Sequence, residues 1–152
     1  MKKFFPLLLF ILLAFLPGIF GSFFSPGEWY GNLLKPSFTP PGWLFGPVWT
    51  LLYIMIGIAG YFVWSVKDHS LQKSAFIIYA IQLFFNGIWS WIFFGLHKID
   101  LALLVILILW IFIIFNIFYF YKIKKLSGYL LIPYLLWVSF ASILNASIWS
   151  LN

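Results

Sequence analysis

Five stretches of this chain carry no charged side chain: residues 4–24, 45–66, 74–96, 101–121 and 129–151. An α-helix crosses the hydrocarbon core of a bilayer in about 20 apolar residues, and each stretch is that long. In lipid no water pairs with the backbone, so a segment must satisfy its own N–H and C=O groups. Helices do this within one segment. Barrel strands would alternate apolar and polar residues over about 10 positions, whereas these runs are apolar on every face. The expected fold is an all-α membrane protein, a bundle of five transmembrane helices forming a single domain over residues 1–152. Composition agrees: 64% of residues are hydrophobic and 8% charged, against roughly a quarter charged in a soluble domain.

Short polar breaks separate most of the spans. Lys67-Asp68-His69-Ser70 divides the second from the third, His97-Lys98-Ile99-Asp100 the third from the fourth, and Lys122 to Gly128 the fourth from the fifth. The first connection, about 25–44, is long and rich in Pro, Gly and Trp. A loop of that length in a small domain is usually functional or disordered, and its aromatic residues favour function. Thr39 before Pro40-Pro41 marks a helix start.

All nine basic residues are lysines. Seven (Lys2, Lys3, Lys67, Lys73, Lys122, Lys124, Lys125) fall on the side of the N-terminus, and two (Lys35, Lys98) on the other. This asymmetry predicts a cytoplasmic N-terminus and an outward-facing long loop. The formal charge of +6 therefore points to membrane orientation and not to nucleic acid. Met1-Lys2-Lys3 before an apolar run also fits a secretory signal peptide. The length of the run, Pro6 and Pro17, and the lack of a small-residue cleavage site argue for a retained span.

Within lipid the few polar residues carry the information. Gln82, Asn86 and Ser90 recur every four positions, which places them on one helical face. The second span sets Trp49, Tyr53, Gly57, Gly60 and Trp64 together; the fifth sets Tyr134, Trp137, Ala141 and Asn145 together. Any one amide most often serves as an interhelical hydrogen bond, and small residues, including Gly42-x-x-x-Gly46, most often let helices or protomers approach. Trp29, Tyr30, Trp64 and Trp149 near span ends suit the interfacial aromatic belt. Trp89 and Trp137 lie deeper, where a flat apolar cavity would suit a large planar ligand.

Several chemistries are absent. There is no cysteine, so disulfides and thiolate chemistry are excluded. No span holds Asp, Glu, Lys, Arg or His, groups that ion-coupled carriers normally place at depth. His69 and His97 fall in loops on opposite faces and cannot share a metal. No nucleophile–base pair, carboxylate dyad or phosphate-binding glycine loop is present, and no cofactor is implied.

Three stretches resemble one family. Trp29–Tyr53 (WYGNLLKPSFTPPGWLFGPVWTLLY), Gln82–Ser90 (QLFFNGIWS), and Leu131–Ala141 (LIPYLLWVSFA) with Leu144–Trp149 (LNASIW) are similar to the signature regions of the translocator protein family. That family, TspO/MBR, is also called the tryptophan-rich sensory proteins or peripheral benzodiazepine receptors. The resemblance covers nearly the whole chain, in order and correctly spaced. It implies a five-helix bundle, often a homodimer, that binds porphyrins, especially protoporphyrin IX, and benzodiazepine-site drugs in a pocket closed by the first loop. Positions matching the family's ligand site are Trp29, Tyr30, Trp49, Asn86, Trp137 and Ala141. Lys35 is the nearest loop cation for a propionate, though interfacial anchoring is its commoner role. Some relatives degrade protoporphyrin IX in light; the tryptophans implicated correspond to Trp49 and Trp137. The animal members' sterol motif needs a tyrosine and a basic residue where this chain has Leu144 to Asn152 with neither. The resemblance is thus to bacterial members, which implies a plasma membrane. It leaves four roles open: a porphyrin receptor or sensor, a light-dependent porphyrin-degrading enzyme, a transporter, and a scaffold.

Overall fold

A computed structural model describes residues 4–152; Lys2 and Lys3, which entered the orientation count, lie outside the described residues. Among the described residues seven α-helices form: α1 (Phe4–Gly21), α2 (Gly27–Asn32), α3 (Gly42–Ser65), α4 (Gln72–Ser90), α5 (Ile99–Ile123), α6 (Lys125–Leu130) and α7 (Ile132–Leu151). A single π-helical turn, Trp91–Gly95, prolongs α4. Five units are long and apolar enough to cross a membrane: α1, α3, α4 with its π turn, α5, and α6 with α7. The chain is a five-span α-helical membrane protein.

The fifth span is broken where one continuous helix was expected. Pro133 has no N–H to continue the ladder and sits at the start of α7, a position that tolerates it. α6 therefore ends at Leu130, and α7 restarts across Leu131. The second span begins at Gly42, earlier than the expected residue 45, directly after Pro41. Thr39 does not cap that helix. Its hydroxyl donates to the Pro36 carbonyl at 2.7 Å and holds a turn in the loop. The expected loop also contains α2, a helix of six residues.

α1 packs on α3 and α4, α4 on α5, and α5 on α6 and α7. Glycines set the closeness of α1. A Cβ at Gly57 would stand 2.5 Å from Ile11 Cα, and one at Gly18 would stand 2.6 Å from the Tyr53 ring. The glycine face of the second span thus receives α1 of the same chain. The core runs along the facing sides of α3, α4, α5 and α7, with Ile56, Val63, Ile113, Phe120, Tyr134 and Val138 almost fully buried. Leucine and phenylalanine cover the outside, including most of α1. In water this surface would aggregate; in a bilayer it is the surface that lipid requires.

Two ends of the bundle are tied differently. At one end the Gln72 amide donates to the carbonyls of Val63 and Val66, both at 2.9 Å, closing the end of α3. At the other, Asn152 pairs with the backbone of Leu34, accepting its N–H at 3.0 Å and donating to its C=O at 2.9 Å. There too Trp29 stacks on His97, 4.1 Å between ring centroids and 9° between planes. His97 adopts φ +57°, the left-handed region that non-glycine residues enter uncommonly and Asn, Asp and His more often than others. These contacts hold the first loop against the end of the bundle.

Candidate functional site

Beneath that loop lies a cavity of about 550 Å³, within the size range of small-molecule sites, roughly 300–1,000 Å³. Its walls come from α3, α4, α5 and α7, with α1 glycines and the first loop completing it. Trp49, Tyr53, Trp89, Phe93 and Trp137 supply most of the aromatic surface. Trp49 stacks on Tyr53 at 5.4 Å and meets Tyr134 edge-on at 6.2 Å. Trp89 stacks on Phe93 at 5.0 Å. The π turn has a role here. Its wider ring, closed by Leu96 N–H to Trp91 C=O at 2.8 Å, shifts the register after Ser90, and both Phe93 and Phe94 reach the lining. Such turns occur frequently at functional sites.

The polar part is small and organised. Tyr53 O–H donates to Asn86 Oδ1 at 3.0 Å. Asn86 Nδ2 donates to the Tyr134 hydroxyl oxygen at 2.7 Å, and Tyr134 O–H donates to Gln82 Oε1 at 2.8 Å. One chain of hydrogen bonds thereby joins α3, α4 and α7. A second link runs from Trp89 Nε1 to Asn145 Oδ1 at 3.1 Å, and from Asn145 Nδ2 to the Ile99 carbonyl at 3.0 Å. Both indole and amide are occupied there. The Trp137 indole N–H is buried and has no hydrogen-bond partner among the described residues.

At the mouth, Lys35 Nζ lies 4.6 Å from the centre of the Tyr30 ring, a cation–π contact. It donates to the carbonyls of Gly31 at 3.3 Å and Leu33 at 3.1 Å. Burial pushes the Tyr30 phenol up, so it remains neutral around pH 7. The cavity therefore combines flat apolar walls, the amides of Asn86 and Asn145, and one cation, Lys35, at the entrance.

Of the residues singled out from the sequence, Tyr30, Trp49, Asn86, Trp137 and Ala141 line this cavity. Trp29 does not. Its ring faces are taken up by His97 and by an edge contact with Phe93 at 5.7 Å, so it anchors the loop. Tyr53, Trp89, Phe93 and Phe94 line the cavity without having been singled out as binding residues. Helical spacing had placed Tyr53 on the Trp49 face, and Trp89 had stood out for lying deep in its span. Phe93 and Phe94 follow Ser90 by three and four positions, a spacing that continues the Gln82–Asn86–Ser90 face of a regular helix, so the sequence carried a signal for both that was not taken up. No group of three or more His, Cys, Asp or Glu side chains comes together among the described residues.

A five-span bundle with an aromatic cavity under a folded loop defines a polytopic membrane protein with an internal cavity. Residues 9–150 match the model of the TspO/MBR family, and the chain belongs to that family. It is 42% identical to a tryptophan-rich protein TspO of Chlorobaculum tepidum, covering 99% of this chain and 98% of the relative. It is 46% identical to a protein of the same description from Archaeoglobus fulgidus, covering 93% and 94%. Similarity to the human translocator protein is 36% identity, covering 87% and 81%.

Proposed function

We propose that this protein is a receptor or sensor in a bacterial plasma membrane that binds protoporphyrin IX, or a closely related planar tetrapyrrole, and through it regulates porphyrin levels. The observation that carries the reading is the cavity itself: aromatic walls from Trp49 and Trp137, the Asn86 amide at depth and Lys35 at the mouth. A protoporphyrin is a flat apolar ring with two propionates along one edge. Aromatic stacking is worth about 0.5–1.5 kcal/mol per pair beyond burial. Asn86 donates one amide proton to Tyr134 and keeps a second for a carbonyl or carboxylate oxygen. Lys35 supplies a counter-charge where the propionates would meet water. Relatives named as sensory and translocator proteins support a receptor class.

The test is a dark titration of purified protein in detergent with protoporphyrin IX, following tryptophan quenching. Saturable quenching, weakened in Trp137→Phe and in Asn86→Ala, supports the reading. Linear quenching shared by wild type and variants is partition into detergent and overturns it.

One observation favours a second reading, light-dependent porphyrin degradation: Trp49 and Trp137 line the same cavity. A photo-excited porphyrin can take an electron from a nearby indole and pass it to dioxygen; the indole radical cation then regains its electron from the porphyrin, so that dioxygen oxidises the macrocycle overall. This reading predicts light-dependent loss of porphyrin absorbance that Trp49→Phe or Trp137→Phe abolishes. Retained turnover in both variants removes it.

The oligomer belongs to the same proposal. A homodimer would use lipid-facing surface other than Gly57 and Gly60, since α1 occupies those glycines. Cross-linking in native membranes distinguishes dimer from monomer.

A further inference from the structure

Gln82 is almost fully buried, and only half of it is used. Its Oε1 accepts the Tyr134 hydroxyl proton at 2.8 Å, while its Nε2 finds no partner among the described residues. An unpaired buried N–H is unfavourable, so the side chain gains from its carbonyl alone. Neither Gln82 nor Tyr134 lines the cavity; Asn86 and Tyr53 do.

The consequence follows the protons. Tyr134 has one hydroxyl proton. Given to Gln82, it leaves only lone pairs to face Asn86. Asn86 must then turn Nδ2 toward Tyr134, which turns Oδ1 toward Tyr53 and draws that hydroxyl proton to itself. Without an acceptor at position 82, the Tyr134 proton is free to swing to Asn86 Oδ1. Two hydroxyls then compete for one oxygen. The reversed amide, with Nδ2 donating to Tyr53, becomes equally satisfied, and the Tyr53 proton is released into the cavity.

The geometry points to Gln82 as a positioning residue for the cavity. Acting through Tyr134, it fixes which way round the Asn86 amide sits, and so which polar groups a ligand meets. Its effect on ligand affinity rests on the tetrapyrrole reading; its effect on the amide does not.

Two arms test this. In the first, tyrosines carry carbon-13 at Cζ, and spectra of ligand-free protein in detergent are compared for wild type, Gln82→Met and Gln82→Glu. Tyr53→Phe and Tyr134→Phe assign the signals. Methionine matches glutamine in length without the acceptor; glutamate keeps it. The expected result is that Gln82→Met moves the Tyr134 and Tyr53 signals, and Gln82→Glu returns Tyr53 to its wild-type position. A Tyr53 signal that Gln82→Met leaves in place overturns the inference. Should Gln82→Met not fold, Gln82→Leu removes the same acceptor and is read against the same two signals.

In the second arm, dark affinity for protoporphyrin IX falls about tenfold in Gln82→Met and stays within about threefold in Gln82→Glu. In a Tyr134→Phe background, Gln82→Met adds no further loss. Additive loss there overturns the relay. Wild type that binds without saturation counts against the tetrapyrrole reading, and the spectral arm then decides the role of Gln82.

Discussion

Asn86 has two tyrosine partners, Tyr53 on α3 and Tyr134 on α7, and removing it strands the Tyr53 hydroxyl and takes away the donor to Tyr134, which keeps Gln82 as acceptor. Asn86→Leu leaves the Tyr53 and Tyr134 hydroxyls without that shared partner in a buried site. Each buried group left unsatisfied costs about 1–3 kcal/mol, so thermal unfolding in detergent is expected several degrees lower. Tyr53→Phe removes only one donor and leaves a lone pair on Asn86 unfilled; the expected loss is smaller, about 1 kcal/mol. A Tyr53→Phe loss equal to that of Asn86→Leu would place the strength of the network elsewhere. The sequence put Gln82 and Asn86 on one helical face, and that much came from spacing. It did not supply the partners, because a tyrosine hydroxyl on another helix has no local signature.

At the scale of elements, α1 is the least embedded span: only 11% of it is buried in the bundle. Its seat on α3 depends on Gly57, where even a methyl group would meet the Ile11 backbone. Gly57→Val must push the helices apart, and overpacking typically costs about 1–3 kcal/mol. Hydrogen exchange in detergent is expected to quicken in α1 while α5 and α7 stay protected. Uniform loss of protection would show that α1 is integral to one cooperative unit. The π turn after Ser90 belongs to the same scale. The sequence does not announce it, although Phe93 and Phe94 continue the Asn86–Ser90 face at helical spacing and could have been placed on that side. Pro133, by contrast, was visible in the sequence, and its missing N–H is what divides the fifth span.

For the whole molecule, the first loop is held to the end of the bundle by Trp29 on His97 and by Asn152 on Leu34, and Lys35 over Tyr30 ties the loop to itself. Trp29 touches the loop's anchor and not the cavity. Trp29→Ala is therefore expected to speed porphyrin dissociation several-fold in stopped flow, with a smaller effect on association, since affinity changes within one site fall mostly on the off-rate. An unchanged dissociation rate would mean that the loop does not gate the site. Orientation is tested by a membrane-impermeant amine reagent on intact cells carrying single-lysine variants. The proposed cytoplasmic N-terminus predicts labelling at Lys35 and protection at Lys124; the reverse pattern inverts the topology.

What the sequence determined by itself is the part set by the solvent. Five uncharged runs of spanning length leave the backbone no option in lipid except helices, and lysine-bearing breaks mark where those helices end. Some cavity residues were also legible, Tyr30, Trp49, Asn86, Trp137 and Ala141 among them, because they sit in family-like stretches. Tertiary structure alone decided the rest. That Trp29 turns away to stack on His97, that Gln82 acts through Tyr134, and that Gly57 receives Ile11 all depend on which helix lies beside which. An apolar span is compatible with many neighbours, since lipid and a second helix are equally apolar to it; only the packed bundle, with its close glycine crossings and its few hydrogen bonds, selects one arrangement.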